Sequence, residues 1–397
     1  MRVLQINATY GVGSTGVIVK EISNVLDSEN IENWVACQYI NEQNGKVFGI
    51  SSRLDMKIHA MLSRLTGTNA CFSKSATRKL INKIEQIQPT VVHLHNLHNN
   101  YINLSMLLSF LGERNIKTVV TLHDCWFFTG KCTHFTHDGC SKWMSGCGGC
   151  PRIKRDIPSW FFDRTAEMLE TKKKLFKGIH QLEVVGCSKW ISQLAEKSIL
   201  SDGKFTIIHN GINLRIFQEI GADFRKEKRI QDKFVILGMA NKWLSEDNKG
   251  LLEFVRSKLG AQYHIVIIGA DCEDKEGISY IPTINDQSEM AAWYRSSDVF
   301  VNVTHEDTLP TVNIEAMACG TPVVTFDVCG SPETITNDTG IIVAENDWYE
   351  LIHAIKTIKE NGKKTYSSAC RQHVGNEYNS EIQFRKYLSI YEKNPVK

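Results

Sequence analysis

The stretch that most restricts the fold runs from 298 to 327 and reads DVFVNVTHEDTLPTVNIEAMACGTPVVTFD. Residues 298–304 alternate and are rich in Val and Phe, as in a strand, and residues 321–326 read as a second one. Between them His305-Glu306-Asp307-Thr308-Leu309-Pro310 turns the chain, with Asp or Thr available as an N-cap and Pro310 near the first helical turn. Residues 312–319 are expected to be helical, and Gly320 ends the helix. Such a strand, loop, helix and strand form one βαβ crossover, so the chain is α/β with parallel pairing. A helix that starts at the carboxyl end of a parallel strand offers free N–H groups and a positive dipole end. A phosphate can bind there without metal.

Two carboxylates, Asp307 and Glu315, frame that spot, and a carboxylate can accept charge-assisted hydrogen bonds from adjacent hydroxyls of a sugar or ribose. An acid, seven residues, then Glu and Ala-Met-Ala-Cys-Gly-Thr-Pro-Val-Val resembles the nucleotide-sugar site of the retaining glycosyltransferases of family four. The resemblance implies the GT-B fold, two Rossmann-like doubly wound domains facing across a cleft. It puts Glu315 on the ribose hydroxyls and Asp307 toward the sugar, with Leu309 and Thr311 also on the donor. Most members have Glu at the first position, so Glu306, beside Asp307, stands as the alternative sugar contact. The plainer reading of these residues is a βαβ unit with surface acids and no ligand.

At 397 residues the chain exceeds one typical core, which favours two domains. A formal charge of +2 gives no case for nucleic acid. No run of about 18 apolar residues occurs, and the N-terminus turns polar too quickly for a signal peptide. A cytoplasmic protein is expected, on the inner face of the membrane if it contacts lipid. Its 12 cysteines then read as reduced thiols or metal ligands.

Residues 2–7 form a first strand leading into a loop with Gly11, Gly13 and Gly16, then a helix over 17–26. Gly13 and Gly16 let backbone approach an anion, although a bare tight turn reads the same way. Their place in the first βα turn, and the family's similar glycine loop, assign them to the donor diphosphate or the acceptor. Residues 53–88 carry Lys and Arg among Leu, Ile and Met, as in one or two amphipathic helices with a basic face. That face is either solvated or docks on an anionic membrane that presents a polyprenyl-linked acceptor. The strand 90–94 ends among His93, His95, Asn96 and His98. With no carboxylate or cysteine nearby to complete a metal site, His95 and Asn96 read as lining of an acceptor pocket, or His95 as a satisfied structural histidine. The strand 117–122 ends at His123-Asp124. The resemblance puts His123 against the donor sugar near the reacting carbon, and Asp124 is assigned to the acceptor side.

Cys132, Cys140, Cys147 and Cys150 follow with C-x7-C-x6-C-x2-C spacing. Four thiolates can complete a tetrahedral structural zinc site, the alternative being a buried thiol cluster or redox pair. Bacterial polysaccharide glycosyltransferases of one branch have a similar insertion. In the second half, residues 234–238 form a strand, and a helix-opening segment ends at Lys249-Gly250. Lys249 is placed to neutralise a diphosphate leaving group. Lys242 is the weaker counterpart of the family's Arg, two residues too far upstream.

The domains are read as 1–222, with the cysteine insertion at 125–151, then 223–379, and a helix over 380–397 returning to the first domain. The linker is expected at 221–232. The implied activity is retaining transfer of a sugar from a nucleoside diphosphate donor to a polysaccharide or lipid-linked acceptor, with no catalytic cofactor. A nucleotide-sugar hydrolase or epimerase, or a non-catalytic carbohydrate binder, are the alternatives.

Overall fold

Runs such as VVHL, VFVN and VVTF are buried at every position, the pattern of parallel strands covered on both faces. The computed structural model describes residues 1–38, 40 and 45–392, which divide into two α/β units. The first comprises Met1–His209 and the chain from Gln383 on. Its strands are β1 (Arg2–Asn7), β2 (Glu32–Cys37), β3 (Val47–Gly49), β4 (Val91–Leu94), β5 (Lys117–Leu122), β6 (Leu182–Gly186) and β7 (Lys204–Ile207), in the order β3-β2-β1-β4-β5-β6-β7. The second unit, Asn210–Ile382, has β8 (Phe234–Met239), β9 (Tyr263–Ile268), β10 (Ile278–Ile281), β11 (Val299–Asn302), β12 (Val323–Phe326) and β13 (Gly340–Val343), ordered β10-β9-β8-β11-β12-β13.

All neighbouring strands pair in parallel. The strand order reverses between β1 and β4 in the first unit and between β8 and β11 in the second. Ligands of open α/β sheets bind at the carboxyl ends of strands flanking such a reversal.

The first helix, α1 (Gly13–Ser28), starts earlier than the expected 17–26 and so takes the glycine loop into its first turn. Gly16 permits this, because a Cβ there would lie 2.5 Å from the Thr9 hydroxyl. Residues 53–88 form α2 (Arg53–Thr66) and a second helix, Lys74–Ile87. The change of unit falls at His209/Asn210, ahead of the charged stretch 221–232. Its reason is local: Ile212 bridges to Asn379, and a Cβ on Gly211 would meet the Ser380 Cα at 2.4 Å, which ties this turn to the second unit.

The last helix, Ser380–Glu392, carries Phe384, Tyr387, Ile390 and Tyr391 into a cluster with Val3, Ile18, Val91, Val119 and Val185 of the first unit. The Lys117 ammonium caps it by donating to the Ile390 carbonyl. The last five residues of the 380–397 segment lie outside the described residues. No helix of the described residues is long and apolar enough to cross a membrane.

Candidate active site

In the second unit two loops flank the β8/β11 reversal. Beyond β11 the chain reaches a helix, Thr311–Ala318, whose N-cap is Pro310 and whose first turn has no side-chain cap. Its leading N–H groups are therefore available to a ligand. Glu315 lies on this helix one turn after Thr311. Its Oε2 accepts from the Tyr294 hydroxyl at 3.0 Å, and the Thr311 hydroxyl also bonds it. Burial pushes the carboxyl up to about 7, with the two hydroxyls pulling the other way.

The Asp307 carboxylate accepts from the Leu309 N–H at 3.2 Å, and its carbonyl accepts from the Gly330 N–H at 3.0 Å. Leu309 is buried with its N–H engaged, so neither its side chain nor its amide is open to a donor, unlike the expected contact. Glu306 is half-buried, its carbonyl accepting from the Thr304 hydroxyl.

The other loop, after β8, is a short turn, Ala240–Trp243, followed by a 3₁₀ turn, Glu246–Asn248, rather than one continuous helix opening. Lys249 is exposed and precedes Gly250, whose φ of +86° caps the Leu251–Lys258 helix. Lys242 is half-buried on the same loop.

Three residues that sequence reasoning did not select hold the two loops together. The buried Asn248 amide donates to the carbonyls of Lys242 (3.0 Å) and Val303 (2.8 Å), which fixes its orientation. Its Oδ1 lies 3.1 Å from His305 Nε2, and His305 Nδ1 lies 2.6 Å from Glu345. Asn248, His305 and Glu345 thus position Lys249 beside the Asp307 loop. The available signal was a histidine just past a strand's carboxyl end.

In the first unit the β1/β4 reversal gathers neutral groups. The α1 N-cap, Val12, makes no side-chain cap, and a Cβ on Gly13 would meet nothing within 4 Å, which leaves the helix start open. Asn7 at the end of β1 accepts from the Asn96 N–H at 3.1 Å, and Asn96 itself is half-buried. His93 and His95 share a face of the sheet, with ring centroids 4.0 Å apart. His95 was expected to line a pocket but is wholly buried, so it reaches a ligand only through His123.

The tautomers of that pair follow from Gln5. Its amide nitrogen donates to the Val19 carbonyl (3.2 Å) and the Ser23 hydroxyl (2.9 Å), so its oxygen faces His95 Nε2 at 3.3 Å and must accept from it. Burial holds His95 well below the usual histidine value, hence neutral. Its bare Nδ1 then accepts from His123 Nε2–H at 2.9 Å. Burial also lowers His123, to about 4, against the pull of Asp124. His123 is left with a bare Nδ1 that has no partner among the described residues.

Asp124 pairs with His98 at 3.0 Å and accepts from the Trp126 N–H at 2.8 Å. Burial opposes its charge, but His98 and Trp126 outweigh it and keep Asp124 below the usual carboxylate value. Its carboxylate is thus occupied in holding the loop. His98 also lines a cavity of about 280 Å³ with Ser63, Arg64, Asn99, Asn100 and Asp156.

The cysteine insertion folds around Phe128, Phe135 and Trp143, whose rings stack edge to face or tilted. Cys132, Cys140, Cys147 and Cys150 line one pocket with Lys131 and Lys142, and all four are free thiols. Among the described residues no three of these sulfurs lie within 4.8 Å of one another. Burial raises Cys132 to about 12 and also raises Cys147 and Cys150.

The family model described as Glycosyltransferase Family 4 matches residues 16–216, just over half the chain, and one described as Glycosyl transferases group 1 matches 231–361. The chain belongs to glycosyltransferase family 4. It is a glycosyltransferase with the GT-B fold. It is 26% identical over 318 residues to the putative colanic acid biosynthesis glycosyl transferase WcaC of Escherichia coli (strain K12), covering 77% of this chain and 76% of that one. Sucrose-phosphate synthase from Thermosynechococcus elongatus superposes with a TM-score of 0.70 at 16% identity over 98% of both chains. Anabaena Alr3699/HepE, solved in complex with UDP-glucose, does so with a TM-score of 0.65 at 14% identity over 98% of this chain and 99% of that one. At these identities the two structures speak for the fold alone. In this glycosyltransferase the acids and the lysines follow β11 and β8, which flank a reversal, and His123 follows β5, one strand away from the β1/β4 reversal.

Proposed function

We propose that the enzyme moves a sugar, with retention, from a nucleoside diphosphate sugar to a growing surface polysaccharide or its lipid-linked precursor. The observation that carries this reading is the pairing, at one strand reversal, of a hydroxyl-bound carboxylate with an uncapped helix start and an exposed lysine. Glu315 takes the ribose hydroxyls, while the Thr311–Ala318 helix start and Lys249 take the diphosphate and stabilise it as it leaves. Asp307 or Glu306 faces the sugar, and in the first unit the unpartnered His123 Nδ1 is left to accept from a sugar hydroxyl. The bound diphosphate assists the acceptor hydroxyl on the same face, so no metal is needed for transfer. The polar cavity at His98 and Arg64 suits the saccharide end of the acceptor. A polyprenyl-linked acceptor would bring the enzyme to the inner face of the cytoplasmic membrane. The named role of the colanic acid relative supports this choice of acceptor.

The test is a thermal-shift screen with UDP, GDP, ADP and CDP, then incubation of the best nucleotide's sugars with and without a polyprenyl-linked saccharide. A ligand at 100 times its dissociation constant stabilises by about 2.7 kcal/mol. Transfer that needs acceptor, with the donor's anomeric configuration kept, supports the reading. Rapid release of free sugar from donor alone makes the protein a hydrolase and overturns it.

The four cysteines are proposed to hold one structural zinc, with no open position for chemistry. The donor chemistry suits zinc, since a zinc bound by four thiolates is net negative and Lys131 and Lys142 line the same pocket, but the four sulfurs must draw closer together to bind it. Gly148 and Gly149, at φ of +127° and +55°, let the C-x2-C turn fold back on itself. Metal analysis of protein purified without chelator should give about one zinc per chain, and finding none would refute it.

A further inference from the structure

Helix α2 is amphipathic in the wrong sense for a helix in water. It buries His59 and Ser63, exposed by only 1% and 4%, and turns Asp55 inward to accept from the hydroxyls of Ser51 and Ser73. His59 Nδ1 joins the same network through Ser73 at 2.8 Å. Outward it presents Leu54, Ile58 and Met61, at i, i+4 and i+7, exposed by 68%, 46% and 48%.

A second apolar run lies against the end of this helix. The Trp160 N–H donates to the Arg64 carbonyl at 2.8 Å, and a Cβ on Gly67, the helix C-cap, would lie 2.3 Å from the Phe162 carbonyl oxygen. Trp160, Phe161 and Phe162 are nonetheless exposed by 52%, 69% and 54%. Three consecutive aromatics left in water beside an outward aliphatic stripe exceed what scattered surface apolars explain.

The charges around them select the occupant. Arg53, Lys57 and Arg64 are exposed on α2, and Lys154, Arg155 and Arg164 flank the aromatic run. The nearby acids are mostly turned to internal partners: Asp55 to the two hydroxyls, Asp163 to the Cys150 N–H and Thr165, Asp156 to Arg152. Glu167 pairs outward, with Arg164. Aromatic and aliphatic side chains with the exposed Lys57, Arg64, Lys154 and Arg155 around them match the interface of a bilayer with anionic headgroups.

We propose that Leu54, Ile58 and Met61 of α2, with Trp160, Phe161 and Phe162, form a surface that docks this enzyme on an anionic lipid bilayer. The polar cavity at Ser63, Arg64 and His98 shares α2 with this surface, so a lipid-linked saccharide could enter it directly from the bilayer. The inference deepens the membrane part of the proposed function, but its test needs no turnover, so either can fail alone.

Purified full-length protein is floated with vesicles of phosphatidylglycerol and phosphatidylethanolamine, or of phosphatidylcholine alone. Binding to the anionic vesicles is expected, weakening with salt. Phe161→Asp and Ile58→Asp should each reduce it at least tenfold without changing the thermal midpoint or transfer to a short water-soluble acceptor. Lys57→Glu should remove most of the preference for anionic lipid. The tryptophan emission of the wild type should shift to the blue on vesicles, and that of Trp160→Phe much less. Equal flotation of wild type and Phe161→Asp, or no binding to either vesicle, overturns the proposal. So does a dimer in solution that Phe161→Asp dissociates, because a second copy would then cover the face.

Discussion

At the β1/β4 reversal the gathered groups are neutral and inward, with His95 and His123 uncharged and locked through Gln5. At the β8/β11 reversal they are ionisable, with Lys249 exposed and the buried Glu315 carboxyl bonded by two hydroxyls. The backbone problem is the same in both units: strands end, helices begin, and uncapped N–H groups face outward. The side chains set different tasks. Fixed neutral imidazoles suit directional hydrogen bonds to a sugar, where a charge would bind water instead. Ammonium and carboxylate suit a diphosphate and a ribose diol, whose own charge and hydroxyls repay the desolvation.

The sharpest way to probe the charged side is Glu315→Gln. The Glu315 carboxyl titrates at about 7 in the folded chain against 4.5 ordinarily, so the folded state keeps a proton that the unfolded state releases between those values. Its contribution to stability is therefore fully present below about pH 4.5 and is lost as pH rises through 7. An amide cannot ionise. The variant should match the wild type near pH 4.5 and become more stable by up to roughly 3 kcal/mol at pH 8, read from urea midpoints. It should at the same time bind nucleotide more weakly. A stability difference that does not grow with pH would mean that Glu315 ionises freely, and the β8/β11 site would then be more charged than described, widening the contrast. Asp307→Asn should instead lower turnover and spare nucleotide binding. A larger turnover loss in Glu306→Gln would move the sugar contact to Glu306.

Next in size is Lys249→Ala. A charge-assisted contact is worth roughly 1.5–3 kcal/mol, so turnover should fall about tenfold to a hundredfold. Because Lys249 is exposed, the thermal midpoint of the apo protein should stay unchanged. Unaltered turnover would hand the diphosphate to Lys242.

Much of the scaffold was legible because strand signals are local. The bounds of β1, β5, β6 and the Ser380–Glu392 helix follow from β-branched runs or helical periodicity ended by turn residues. The Lys363–Glu377 helix was not read. Its sequence, KKTYSSACRQHVGNE, buries Ser367 and Cys370 beside Tyr366 and Val374, so polar and small residues occupy its inner face and blur the period. The same ambiguity hid the sense of α2, where apolar and basic residues share the outer face. The individual acids and lysines at the site were visible as residues at strand ends. The groups that position them were not: Asn248 and His305 are 57 residues apart, and His305 and Glu345 are 40 apart. Only the folded sheet brings them together, as it also pulls His95 away from a pocket wall into the interior.

The smallest expected effect tests the neutral side. If Gln5 fixes the tautomers, Gln5→Leu removes the acceptor that obliges His95 to carry its proton on Nε2. His95 can then place the proton on Nδ1 and donate to His123 Nε2, which forces the His123 proton onto Nδ1 and turns its unpartnered lone pair into a donor. A lost neutral hydrogen bond of about 1 kcal/mol corresponds to roughly a fivefold fall in kcat/KM. A purely structural role for Gln5 could give a fall of the same size, so activity alone does not decide. NMR of protein with isotope-labelled histidine does, with His123→Asn used to assign the signal. An unprotonated, imine-type Nδ1 is expected in the wild type, with a mixture of tautomers in Gln5→Leu. If His123 carries its proton on Nδ1 in the wild type, the chain from Gln5 through His95 does not set it, and the contrast between a directional neutral site and a charged one fails on its neutral side.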